Sequence, residues 1–191
     1  MLDRLVRCGD SRAIMPVGKA LKEGGWTIRP FAVEALSKFS SSQVVELLTI
    51  AMEDENFETR LAAVKALGNF YDSQAVELLI KSLGDTEWSV REESAKALGQ
   101  LNDSRAIEPL IAAMDDEKHQ VRKTVASALA SIYASKSISA EQKAMILQHK
   151  DAIAQQGIKI SGQPDVVKIV NSKSQEAPKP DGKDGQPAEK K

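Results

Sequence analysis

The sequence predicts an all-α protein, an α-solenoid of about four 31-residue helical hairpins with a closing C-terminal helix. Asp10, Ser41, Asp72 and Asp103 lie 31 residues apart and open four segments, 10–40, 41–71, 72–102 and 103–133, that align without a gap. Within each segment apolar residues recur twice at helical spacing, as in Ala75, Val76, Leu78, Leu79 and Leu83, then Val90, Ala95, Ala97, Leu98 and Leu101. A short polar turn such as Gly84-Asp85-Thr86-Glu87 parts the two stretches, leaving about 10–14 residues and about 15–20 Å per helix. A strict period in this range marks a repeat array. Helices this short are marginal alone, so stacking of one hairpin on the next must hold them.

Residues 1–9 read as a partial N-terminal repeat, the end of a second helix, because Leu5 aligns with Leu36 and Cys8 with Phe39. The array is therefore expected to start mid-unit, as part of a longer array that would place any targeting segment upstream of Met1. In the four units the best-kept apolar column is Leu36, Leu67, Leu98 and Leu129, flanked by Ala35, Ala66, Ala97 and Ala128. Leucine fills the interior and alanine permits close approach. The first unit departs most from the pattern, with Lys22-Glu23-Gly24-Gly25 at its turn and Pro30-Phe31 early in its second helix.

Two ionic columns run through the array: Glu23, Asp54, Asp85 and Asp116 stand six residues ahead of Arg29, Arg60, Arg91 and Arg122. The arginine fork can bridge a carboxylate and turn carbonyls together. Asp54, Arg60, Asp85, Arg91, Asp116 and Arg122 are accordingly expected to form a structural ladder linking successive turns. A catalytic acid and base would be needed once, in a cleft, whereas these recur in every unit.

Residues 134–160 are expected to close the stack. Ser139-Ala140-Glu141-Gln142 is a capping box, opening a helix through about Gln156 that Gly157 stops; Met145, Ile146 and Ile153 supply its contacts. Residues 161–191 end in a Pro-, Gly- and Lys-rich stretch without aromatic or branched apolar residues from Ser172 onward, a composition expected to be disordered. Just before it, residues 166–170 are apolar enough for a docking strand or for packing on the closing helix.

The pattern D-x-R-A-(I/V)-x-P-L, then D-x-x-x-x-V-R, then A-x-A-L-(G/A), complete at 103–130 and partial at 72–99, resembles the short HEAT-like repeat of the phycobilin-lyase type. The resemblance covers residues 10–133. It implies antiparallel helix pairs with the second helices lining a concave side, and it implies kinship with enzymes or enzyme subunits that attach bilins to proteins. HEAT-like hydroxylases carry repeated His-Glu pairs as iron ligands, and this sequence has no His-Glu dipeptide.

No catalytic, cofactor-binding or metal-ligating residue is assigned. His119 and His149 stand in different elements, Cys8 has no neighbouring partner, and neither a phosphate-binding glycine loop nor a G-x-S-x-G elbow occurs. Residues 10–133 hold 14 Lys+Arg against 19 Asp+Glu, a net of −5, while 134–191 hold 10 against 7, a net of +3. An acidic body disfavours nucleic acid. With one cysteine and no long apolar run, neither an internal disulfide, a signal peptide nor a membrane span is expected, and the default compartment is the cytoplasm.

What remains is surface. Candidate partner-binding positions are Leu61, Glu92 and Lys123 in one column of the second helices, Lys65 and Lys96 in another, and the turn aromatics Trp26, Phe57 and Trp88, which share a register with His119. The aromatic column admits two readings, a recognition stripe or a staple holding the entering chain onto each helix. The functional expectation is a non-catalytic scaffold that binds another, unidentified protein on its concave face. The alternative is a subunit or relative of a phycobilin lyase, which would be lyase-type in chemistry.

Overall fold

The structure is a computed structural model that describes residues 2–160; the stretch 166–170 and the tail expected to be disordered lie outside the described residues. Among the described residues eleven α-helices follow one another: α1 (Leu2–Arg7), α2 (Ile14–Glu23), α3 (Ile28–Leu36), α4 (Ser42–Ala51), α5 (Phe57–Leu67), α6 (Ser73–Ser82), α7 (Trp88–Leu101), α8 (Ile107–Ala112), α9 (His119–Ala134), α10 (Ala140–Gln148) and α11 (Lys150–Gln155). The hairpins are α2–α3, α4–α5, α6–α7 and α8–α9, and the architecture is an α-solenoid.

The residues that open the hairpins show why helices begin where they do. The Asp10, Asp72 and Asp103 carboxylates accept from the amides of Arg12, Gln74 and Arg105 at 3.0, 2.7 and 2.9 Å, satisfying donors that have no partner inside a helix. Ser41 holds the same extended backbone but makes no side-chain cap. In the first and fourth units a 3₁₀ turn, Ser11–Ala13 and Ser104–Ala106, precedes the α-helix. The cause is Pro16 and Pro109, each six residues past its aspartate, where the other units have Leu47 and Leu78. An α-helix begun at Ser11 would carry Pro16 beyond its first turn, without a donor and against the carbonyl four residues back. Restarting at Ile14 and Ile107 makes each proline the third α residue, where no intrahelical donor is needed. Pro30 holds the same third place in α3.

The core runs the length of the stack. Leu36, Leu67, Leu98 and Leu129 are all fully buried, with Ala66, Ala97 and Ala128 buried beside them and Ala35 partly buried. The second helices α3, α5, α7 and α9 pack on one another along their lengths, while the first helices α2, α4 and α6 touch only sparsely. Closer packing in the second-helix layer than in the first favours a stack that curves with the second helices inside. Close approach there depends on small residues: a Cβ at Gly99 would lie 2.8 Å from Ala128 Cα, a backbone atom of the facing helix that cannot yield.

The C-terminal closure differs from the single helix expected through Gln156. Ser139 and Gln142 do form the reciprocal capping box, and Gly157, at φ +80°, ends the helical run. Between them the chain breaks at His149, whose φ of −102° and ψ of 13° leave the helical region. The break lets α10 lie across both α8 and α9 while α11 packs on α9. Ile146 and Ile153, one from each piece, are fully buried against the last hairpin. Among the described residues no helix is long and apolar enough to cross a membrane.

Candidate functional site

Each turn is organised by its acidic residue before any partner is considered. Asp54, Asp85 and Asp116 accept from the amide two residues on, Asn56, Glu87 and Lys118, each at 2.8 Å, which folds the turn onto the next helix start. The free oxygen of each carboxylate faces the preceding repeat. Arg60 grips Asp85 through Nε and Nη2, both at 2.8 Å, while its Nη1 donates to the Asp54 carbonyl at 2.9 Å. Arg91 repeats this on Asp116 at 2.6 and 3.0 Å, with Nη1 on the Asp85 carbonyl at 2.8 Å. Arg60 and Arg91 thus each join their own turn to the next one. Burial pushes the Asp85 and Asp116 carboxyls up, but hydrogen bonds from Arg60 and Arg91, and from the turn amides, outweigh it and hold both below the ordinary carboxylate range.

The two ends of this ladder are incomplete. Arg122 keeps the bonds to its own turn, the Asp116 and Glu117 carbonyls at 2.8 and 3.1 Å, but the position 25 residues on is Leu147 and offers no carboxylate. Arg29 reaches Asp54 with Nη1 alone at 2.8 Å, and its buried Nε has no partner. The reason is local: the Glu23-Gly24-Gly25 turn lacks the aspartate that organises the others. Arg29 lies instead over the Trp26 ring, 6.0 Å from the centroid. Among the described residues no group of His, Cys, Asp and Glu is placed to hold a metal ion.

The sequence-predicted surface positions fall into two places. Trp26 lies in the turn before α3 and is 52% exposed; Phe57 and Trp88, 42% and 38% exposed, are the first residues of α5 and α7. They form a rim outside the core, and His119 continues it as the first, exposed residue of α9. Leu61 and Lys65 line a groove of about 640 Å³ on the inner face, between α3 and α5. Glu92, Lys96 and Lys123 stand further along the same face on α7 and α9, outside that groove.

The groove is built from two helix faces at i, i+3, i+4, i+7 spacing. Thr27, Pro30, Phe31, Glu34 and Ser37 come from the α3 side; Glu58, Leu61, Ala62, Lys65, Ala66 and Asn69 come from the α5 side. Ala62 and Ala66 are small and give it depth. Phe31 stands 71% exposed at its wall, with Ile28 51% exposed close by in sequence. Phe31 lies outside the aromatic turn column of Trp26, Phe57 and Trp88. Its signal was present: it aligns with Ala62, Glu93 and Thr124, so a large aromatic occupies a column that is small or polar elsewhere.

The equivalent positions on α7 and α9 are closed on themselves. Glu93 pairs with Lys96 at 3.0 Å and Glu92 accepts from Thr124 at 3.3 Å. Glu34 and Glu58 meet no cation among the described residues.

With this geometry in place, comparisons with known proteins bear on the fold. Residues 45–130 match the family of HEAT repeats, and the chain carries HEAT-like repeats. No curated protein matches the chain. The structure is similar to the crystal structure of an engineered protein at 18% identity and a TM-score of 0.52, covering 82% of this chain and 85% of that one. A second engineered protein is similar at 22% identity and a TM-score of 0.51, over 81% of this chain but only 44% of the other. Human deoxyhypusine hydroxylase, solved with glycerol, aligns at 20% identity over 80% of this chain and 73% of that one, with a TM-score of 0.42. At such identities the likeness to the engineered proteins speaks for the helical repeat fold alone.

Proposed function

We propose that this protein is a non-catalytic interaction scaffold whose second-helix face engages another protein. The observation that carries the reading is the open groove between α3 and α5, where Phe31 stands 71% exposed beside Leu61, Ala62 and Ala66. An exposed apolar surface of this kind, concave and rimmed by polar side chains, is what a partner covers. Repeat proteins offer such faces because stacking uses only the surfaces that units share. The aromatic rim of Trp26, Phe57 and Trp88 extends the same offer to the edge of the stack, since tryptophan is enriched where binding energy concentrates.

The test is affinity purification with mass spectrometry, run in parallel on the wild type, on Glu92→Lys with Lys123→Glu, on Leu61→Asp, and on Trp88→Ala. A partner retained by the wild type and lost with either inner-face variant supports the scaffold reading. A partner lost only with Trp88→Ala, at unchanged melting temperature, moves recognition to the rim. Retention by every variant overturns the inner-face assignment. The lyase kinship implied by the repeat pattern is checked separately by adding phycocyanobilin: a shifted and sharpened red absorption band would replace the scaffold with a bilin-handling role.

A further inference from the structure

The chemistry of the groove restricts what can fill it. Both walls are α-helices, so their backbone donors and acceptors are already used, and no strand edge is on offer. An extended peptide laid here would leave its own backbone groups facing apolar side chains, at a cost that natural interfaces avoid. A helix brings its backbone already satisfied, and its side chains project at the i, i+3, i+4, i+7 spacing that both walls present. The small floor at Ala62 and Ala66 and the tall wall at Phe31 leave room for large aliphatic or aromatic side chains between them.

Charge selects among amphipathic helices. Glu34 and Glu58 stand on opposite walls, both exposed, and neither meets a cation among the described residues. One cation, Lys65, lines the groove with them. At the matching place on α7 and α9, Glu93 pairs with Lys96 and Glu92 accepts from the Thr124 hydroxyl, and the residues that align with Glu34 and Glu58 are Lys96 and Gln120, so a pair of unbonded carboxylates on opposite walls belongs to this groove. The repeat body as a whole carries a net of −5 from 14 basic and 19 acidic residues over 10–133, which speeds the approach of a cationic segment.

We propose that the α3–α5 groove binds a basic amphipathic helix of a partner protein, its apolar face seated on Phe31, Leu61 and Ala62 and its lysines or arginines reaching Glu34 and Glu58. This rests on the inner-face scaffold reading and sharpens it to one groove and one class of ligand. Phe31 is the anchor, because it has the most apolar surface left to bury. The two carboxylates select charge and steer encounter.

The experiment uses the full chain and two synthetic fluorescent helices with an identical leucine face at i, i+3, i+4 and i+7. One is flanked by lysine and the other by glutamate. Binding is followed by fluorescence anisotropy at low and at physiological salt. The lysine-flanked helix should bind at least about tenfold more tightly than the glutamate-flanked one, and the gap should narrow as salt rises. Phe31→Ser should weaken the lysine-flanked helix by about tenfold or more, and Glu34→Gln with Glu58→Gln should bring the two helices close to equal. Melting temperatures of these surface variants check that each remains folded.

Equal binding of the two helices by the wild type overturns the charge assignment and with it the proposal. Binding that survives Phe31→Ser places the ligand elsewhere and overturns it too. Failure of both helices, while the affinity purification still yields a partner sensitive to Glu92→Lys with Lys123→Glu, removes the groove proposal and leaves the scaffold reading standing.

Discussion

The helices α3 and α7 hold equivalent places in the first and third hairpins of one stack, yet they present opposite surfaces. Helix α7 is 14 residues long, and its inner face carries Glu92, Glu93 and Lys96, bonded among themselves and to Thr124. Its Arg91 fork is filled on both edges. Helix α3 is nine residues long, starts after a Gly-Gly turn, and shows Pro30 and Phe31 where α7 shows its two glutamates. Its Arg29 fork is only half filled. Yet Leu36 and Leu98 are equally buried. A shared column of leucines is enough to hold both helices in register, so the face turned away from the core is free to diverge. On α7 that face is a solvated surface that satisfies itself, and on α3 it is unfinished.

The comparison breaks most severely if the shared column is removed. Leu98→Ala should cost about 2–5 kcal/mol through lost transfer energy and the cavity left behind, read as a fall in the urea midpoint. An unchanged midpoint would mean that the column does not hold the frame on which the two faces differ.

The next effect separates the filled fork from the half-filled one. Asp85→Ala removes the bidentate partner of Arg60 and the acceptor for the Glu87 amide, and should cost about 1.5–3 kcal/mol. Asp54→Ala removes a single bond from Arg29 together with the Asn56 turn bond, and should cost about 1 kcal/mol. A larger loss at Asp54 than at Asp85 would invert the argument.

Acid provides a second reading of the same fork. The folded-state pKa values of Asp85 and Asp116 lie below the ordinary value, so their contribution is complete above the unfolded-state value of about 4. It is lost as pH falls through the folded-state values. The wild type should therefore lose stability between neutral pH and about pH 3, and Asp85→Ala should lose less over that interval. An equal loss would show that the acid response comes from other groups.

The smallest stability change is expected on the unfinished face. Phe31→Ser alters a side chain that is 71% exposed, and should shift the unfolding free energy by no more than about 0.5 kcal/mol. A fall of several kcal/mol would mean that Phe31 supports the fold, and the groove would lose its anchor.

Much of the frame was legible in the sequence because its causes are local. The period, the leucine column and the Ser139–Gln142 box depend on spacing along one chain, and the stop at Gly157 depends on one backbone angle. The candidate surface was only partly legible. Leu61 and Lys65 were reached through their columns, whereas Phe31, Glu34 and Glu58 join them only when α3 lies beside α5. The repeat alignment marks Phe31 as the one large aromatic in its column, but it does not say whether that side chain faces the core or solvent.

The sequence by itself determined that the chain is a stack of helical hairpins, which residues face inward, and where the capping box lies. These follow from helical spacing and from short-range hydrogen bonds that a residue makes within a few positions of itself. Only the tertiary structure decided that the second edges of Arg60 and Arg91 land on an aspartate 25 residues away, that the closure is two helices with a break at His149, and that one pair of inner faces stays open while another closes on itself. Those outcomes depend on how closely neighbouring helices approach, and that distance is set by the summed packing of both hairpins and not by either one alone.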